Sequence, residues 1–246
     1  MKSILIFTYS DRENSPFLPL WISYYSKIKN SKLVILCRNS KPNIPNEYLN
    51  LIELIDVNHF FGEKDVSYVP PNKLFMDYQT IFLESYDVVV YSDMDEFIVH
   101  DNLNEVLQSD FNQCLVTTGI EIVDYIPNDE PFVFTKNITE QRNFMVYSVW
   151  YNKPLIVNRL TSWSGGKHNN HIYNNYVNDL YLIHLGKVCM TLTKNLFDES
   201  KILYPKHNFV DNLESYYKKN FNNPKHGDQP MIEIPEKIKL LLNNII

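Results

Sequence analysis

Strand-length apolar runs alternating with helical spacings fill the amino-terminal part of this chain, and that alternation limits the fold more than any other feature. SILIFTY (3–9), LVILC (33–37), LIELIDV (51–57) and DVVVYSD (87–93) are predicted strands. PFLPLWISYYSKI (16–28) and NKLFMDYQTIFLESY (72–86) have helical spacing, the first with Pro16 near its first turn and an apolar face of Phe17, Leu20, Trp21 and Tyr24. Alternating units of this kind predict an α/β layer on a mainly parallel sheet.

The order loosens further on. NLNEVLQS (102–109) predicts a short helix and QCLVTTGIEIV (113–123) a strand. FMVYSVW and KPLIV are shorter strand candidates, TSWSGGKHNNHIYNN is a polar loop, and DLYLIHLGKV (179–188) is a last strand leading into a helix. The tail IPEKIKLLLNNII is apolar enough to lie on the domain or a membrane surface; packing on the domain is expected, because a membrane-surface helix is usually longer and more basic. At 246 residues and 44% hydrophobic content, with no composition break, a single domain is expected.

A net charge of -6 argues against a broad nucleic-acid-binding face, so any anionic ligand must be met locally by a metal or a few basic residues. Cys37, Cys114 and Cys189 are odd in number and far apart, which shows neither a disulfide framework nor a CxxC metal site and suits a reducing, cytoplasmic setting. The apolar start MKSILIF is too short for a signal peptide, and no run reaches the length of a membrane span. Asn137-Ile138-Thr139 is a glycosylation sequon that carries little weight without a secretion signal.

The chemistry concentrates in VVVYSDMDEFI (88–98), where a buried strand runs into Asp93, Asp95 and Glu96 and then returns to Phe97 and Ile98. Carboxylates beside an apolar strand are costly without a positive partner. If the segment stays extended, Asp93 and Asp95 point the same way at the carboxyl end of the strand, the edge where open α/β sheets bind ligands. Two such acids suit Mg²⁺ or Mn²⁺, which fills its remaining positions with phosphate and water. A calcium loop is excluded because its glycine is missing.

With Asp93-Met94-Asp95-Glu96-Phe97 after a fourth strand, the chain resembles GT-A-fold glycosyltransferases, in particular the family-two-like group that carries D-x-D-E-F. The likeness extends to TYSDREN and LPLW near the amino terminus, with Glu13-Asn14 in reversed order and Leu20 where those proteins have an acid. The resemblance implies a Rossmann-like sheet in which residues 1–101 bind a nucleoside-diphosphate sugar and residues 102–246 form the acceptor side. It also implies donor contacts from Thr8, Tyr9, Arg12 and Asp93, with a metal held by Asp93, Asp95 and His184. Lys187, in LIHLGKV, would meet the diphosphate. Neutral imidazole with two carboxylates suits Mn²⁺, and an ammonium favours the growing negative charge of a leaving diphosphate.

In TSWSGGKHNNH, Trp163 offers a face for a sugar ring, while Gly165 and Gly166 let an acceptor approach the backbone. His168 is a candidate base, since imidazole titrates near working pH; Glu121, Asp124 and Asp228 are rival carboxylates, and the stereochemical outcome stays open. The expected acceptor is a glycan or lipid-linked glycan in surface-glycan synthesis, with peripheral membrane contact and no transmembrane segment. Two other readings stand beside this one. A haloacid-dehalogenase-like phosphatase would use Asp93 as nucleophile, with GDQPMIE as its later acidic motif. A carbohydrate-binding protein would keep the fold without turnover.

Overall fold

A computed structural model describes residues 1–61, 70–124, 131–163, 174–203 and 230–246; Gly165, Gly166, His168 and Asp228 lie outside them. The predicted amino-terminal units form as β1 (Ile4–Ser10), α1 (Leu18–Tyr25), β2 (Ser31–Cys37), β3 (Ile52–Asp56), α2 (Asn72–Leu83) and β4 (Val88–Tyr91). Helix α1 begins beyond Pro16, with Pro19 in its first turn, where a missing N–H costs nothing. Its Leu18, Leu20, Trp21, Ile22, Tyr24 and Tyr25 are all buried, so it is an interior helix with little of a polar face.

Beyond β4 come β5 (Glu96–Val99), α3 (Leu103–Gln108), β6 (Cys114–Val123), α4 (Ile138–Gln141), β7 (Phe144–Tyr147), β8 (Ile156–Val157), β9 (Asn174–His184), α5 (Met190–Leu203), β10 (Ile232–Glu233) and α6 (Glu236–Leu242). One sheet joins the described strands, in the order β10-β7-β6-β8-β4-β1-β2-β3, with β9 paired to both β5 and β6. Strands β3, β2, β1 and β4 are parallel neighbours, as the alternation predicts. The other half is mixed: β8 lies antiparallel between β4 and β6, β7 antiparallel beside β6, and β9 parallel to β6 but antiparallel to β5. The sheet is therefore an open mixed one flanked by helices rather than mainly parallel throughout. The parallel expectation holds for the amino-terminal half, and in the looser region beyond it short connections favour antiparallel neighbours.

Valines 88–90 and Tyr91 are fully buried, as a central strand covered on both faces requires. Three hydroxyl contacts lock helix α1 to Ser92 after β4 and to Ile98 in β5. Tyr24 donates to the Ile98 carbonyl at 2.7 Å, Tyr25 Oη accepts from Ile98 N–H at 2.9 Å, and Tyr25 Oη and Ser92 Oγ are 2.9 Å apart. At the carboxyl end, Ile238, Leu241, Leu242 and Ile245 are buried, and Thr139 donates to Asn243 at 3.0 Å. The tail thus packs on the domain. No helix among the described residues is long and apolar enough to cross a membrane.

Candidate functional site

The acidic stretch does not stay extended. Met94 and Asp95 form a turn closed by the Glu96 N–H to Asp93 carbonyl bond at 3.0 Å, and the chain re-enters the sheet as β5. Strand β5 pairs with β9 so that Glu96 faces His184, and β9 pairs with β6 so that His184 faces Glu121. Register partners share a face, so these three side chains form a row across the sheet. Leu185 N–H then donates to the Asp95 carbonyl at 2.8 Å and draws the turn against the end of β9.

His184 sits between two acids. Its Nε2 lies 3.3 Å from Asp95 Oδ2, its Nδ1 lies 2.8 Å from Glu121 Oε1, and Tyr151 stacks on its ring at 4.2 Å between centroids. Burial pulls the imidazole pKa down, but Asp95 and Glu121 outweigh it and raise the pKa to about 10. Glu121 is buried and also accepts from Lys187; burial favours its protonation, yet Lys187 and His184 prevail and hold its pKa below the usual range. Gly186 is required by close approach: a Cβ there would stand 2.5 Å from His184 Cε1 and 2.9 Å from Asp95 Oδ2.

Asp93 belongs to a second network. It accepts from the Tyr91 hydroxyl, and its Oδ2 lies 3.6 Å from Lys153 Nζ, which is also bonded to the buried Glu96. Burial opposes the charge on Lys153, but Glu96 and Asp93 overcome it and raise the pKa, so the ammonium persists. Burial raises the Glu96 pKa against the pull of Lys153. The partner that permits this acidic stretch beside an apolar strand is therefore, in large part, a lysine from the segment between β7 and β8.

A pocket of about 600 Å³ opens over these groups and is lined by Asp93, Asp95, His184 and Lys187 together with Tyr9 and Arg12. Arg12 reaches across to α5, with its guanidinium 3.1 Å from Ser200 Oγ and 3.4 Å from Glu199. Thr8 is wholly buried and stands behind Tyr9, because successive strand residues face opposite sides. Trp163 also departs from expectation. It is 5% exposed, its indole N–H donates to the Pro154 carbonyl at 3.0 Å, and its ring lies beside Tyr91 in the core, so it presents no face to a sugar.

Among the described residues no group of three or more His, Cys, Asp or Glu side chains is gathered as metal ligands. Of the expected set, Asp95 and His184 stand side by side, while Asp93, on the same pocket, accepts from Tyr91 and lies near Lys153. The pair of Asp95 and His184 can serve a divalent ion once the imidazole gives up the proton that Asp95 and Glu121 hold on it, since only a neutral imidazole ligates a metal. Asp95 Oδ2 and His184 Nε2 already face each other at 3.3 Å. Glu121 behind Nδ1 supplies the carboxylate support usual for a metal-bound imidazole.

Lys153, Tyr151 and the supporting role of Glu121 are not evident in the sequence, where each lies in an ordinary strand or loop context. The chain matches no protein-family model, and no curated protein matches it.

Proposed function

We propose that this chain is a GT-A-like glycosyltransferase that moves a sugar from a nucleoside-diphosphate donor to an acceptor hydroxyl with the help of Mn²⁺ or Mg²⁺. One observation carries the reading: Asp93, Asp95, the carboxylate-supported His184, Lys187 and Arg12 all line a single pocket beside the carboxyl ends of β1 and β4. Ligands of open α/β sheets bind at that edge. The mixed sheet with a parallel amino-terminal half suits the same reading.

Asp95 and His184 would hold the cation, leaving its other positions to diphosphate oxygens and water. When bound, the cation would stabilise the negative charge gathering on the departing diphosphate. Glu121 keeps the imidazole oriented and holds Lys187. Arg12, paired with Asp11 and Glu199, lines the same pocket, so a diphosphate would draw on both cations by exchanging with their carboxylate partners. Asp93, fixed by Tyr91 and Lys153, has a partly exposed carboxylate able to accept hydroxyls of the donor. Tyr9 offers a ring on the β1 side. Glu121 and Asp124 are buried and off the pocket wall, which counts against either as the acceptor's base. Release of nucleoside diphosphate from a panel of nucleotide sugars in the presence of Mn²⁺ tests the reading, and no release from any donor, with or without simple sugar acceptors, counts against it.

A further inference from the structure

The three tryptophans occupy different environments. Trp21 is fully buried and Trp163 is 5% exposed, whereas Trp150 is 49% exposed on the wall of the pocket. Trp150 rides on a single 3-10 turn, Val149–Tyr151, that is fastened to β6. Ser148 N–H donates to the Gly119 carbonyl at 3.0 Å, and Gly119 N–H donates to Asn152 Oδ1 at 2.7 Å. Gly119 makes this approach possible, since a Cβ on it would fall 2.4 Å from both the Ser148 carbonyl oxygen and Tyr151 Cβ. The next residue along the turn, Tyr151, is stacked on His184. An exposed indole is thus held in fixed relation to the imidazole at the centre of the site.

We infer that Trp150 is a stacking platform for the saccharide acceptor, a role that rests on the glycosyl-transfer reading of the pocket. A pyranose ring has apolar C–H faces and a polar rim. An aromatic face beside convergent polar groups is the surface that recognises it. Here the partly exposed Asp93 carboxylate lines the same pocket as the indole. The sheet order gives the pocket two flanks. Tyr9 and Arg12 stand at the end of β1 on one side of β4, and the turn bearing Trp150 leads into β8 on the other. A nucleotide at the parallel edge takes the first flank, which leaves the second to the acceptor.

Saturation-transfer NMR with the methyl glycosides of glucose, galactose and N-acetylglucosamine tests this on the whole chain. Wild type is expected to give transfer to at least one glycoside, falling about fivefold or more in Trp150→Ala and largely kept in Trp150→Phe, which preserves an aromatic face. Trp163→Phe serves as a control that leaves transfer intact, and Trp150→Gln covers the case in which the alanine variant fails to fold. No transfer to wild type, or equal transfer to wild type and to Trp150→Ala or Trp150→Gln, overturns the inference. Affinity for uridine diphosphate with Mn²⁺, measured on the same samples, is expected to be unaffected in the Trp150 variants; its loss with glycoside transfer retained would assign the indole to the nucleobase instead. Trp150-dependent glycoside transfer without metal-dependent nucleotide binding would sink the glycosyl-transfer reading and leave a saccharide site. Metal-dependent nucleotide binding with Trp150-insensitive transfer would sink only this inference.

Discussion

His184 Nδ1 lies 2.8 Å from Glu121 Oε1, and the same carboxylate group receives Lys187 through its other oxygen. One buried acid therefore serves two cations of the pocket wall. Removing it leaves both without their buried counter-charge. Glu121→Ala is expected to cost about 3–5 kcal/mol of stability, the usual range for breaking a buried ion pair from one side. Urea unfolding followed by circular dichroism measures the loss, and an unchanged midpoint would contradict it.

Lys153 and Glu96 form the second buried pair. Lys153→Met alone strands Glu96, which is 1% exposed and has one oxygen without a hydrogen-bond partner among the described residues. The single change is expected to destabilise by about 3–5 kcal/mol, while Lys153→Met combined with Glu96→Leu recovers much of that loss, because two apolar groups leave no unpaired buried charge and Asp93 is partly exposed. A double mutant no more stable than Lys153→Met would show that the pair is not coupled.

Gly186→Ala separates site geometry from stability. The added methyl would meet a His184 ring already held by Asp95, Glu121 and Tyr151, so the imidazole cannot shift without losing those partners. Mn²⁺-dependent nucleotide affinity is expected to fall about tenfold or more, with a smaller proportional change in unfolding midpoint. Titration calorimetry and thermal melting on the same variant decide it; equal affinity would mean that the His184 position is not needed for binding.

In a phosphatase Asp93 would carry a phosphoryl group during turnover. Here Tyr91 and Lys153 hold that carboxylate, and the reading proposed above makes it electrostatic throughout. Incubation with a chromogenic phosphate ester and Mg²⁺, followed by mass spectrometry of the peptide containing Asp93, is expected to show unmodified aspartate. A phosphoryl adduct there would reverse the assignment.

The parallel strands and the acidic stretch were legible because their signals are local: apolar runs bounded by polar turns, and acids at a strand end. Glu96–Val99 was hidden as a strand because it has only four residues and follows two acids. Lys153 and Glu121 were hidden for a different reason. Their partners lie 57 and 63 residues away in sequence, and only the β5-β9-β6 register brings Glu96, His184 and Glu121 into line. The tryptophans show the same limit. Trp163 sits in a polar loop and Trp150 ends the apolar run FMVYSVW, yet Trp163 is the buried one; what divides them is a carbonyl at Pro154 for one and a glycine at position 119 for the other.

The most direct test of the central claim is titration calorimetry of uridine and guanosine diphosphates against the whole chain, with Mn²⁺ and with a chelator in its place. Asp95 and His184 are proposed to share one cation with the diphosphate, so at least one nucleotide is expected to bind about tenfold or more tightly with Mn²⁺. Asp95→Asn and His184→Ala should each remove most of that difference while the protein stays folded. Equal affinity with and without the metal, or a metal effect untouched by both substitutions, would contradict it.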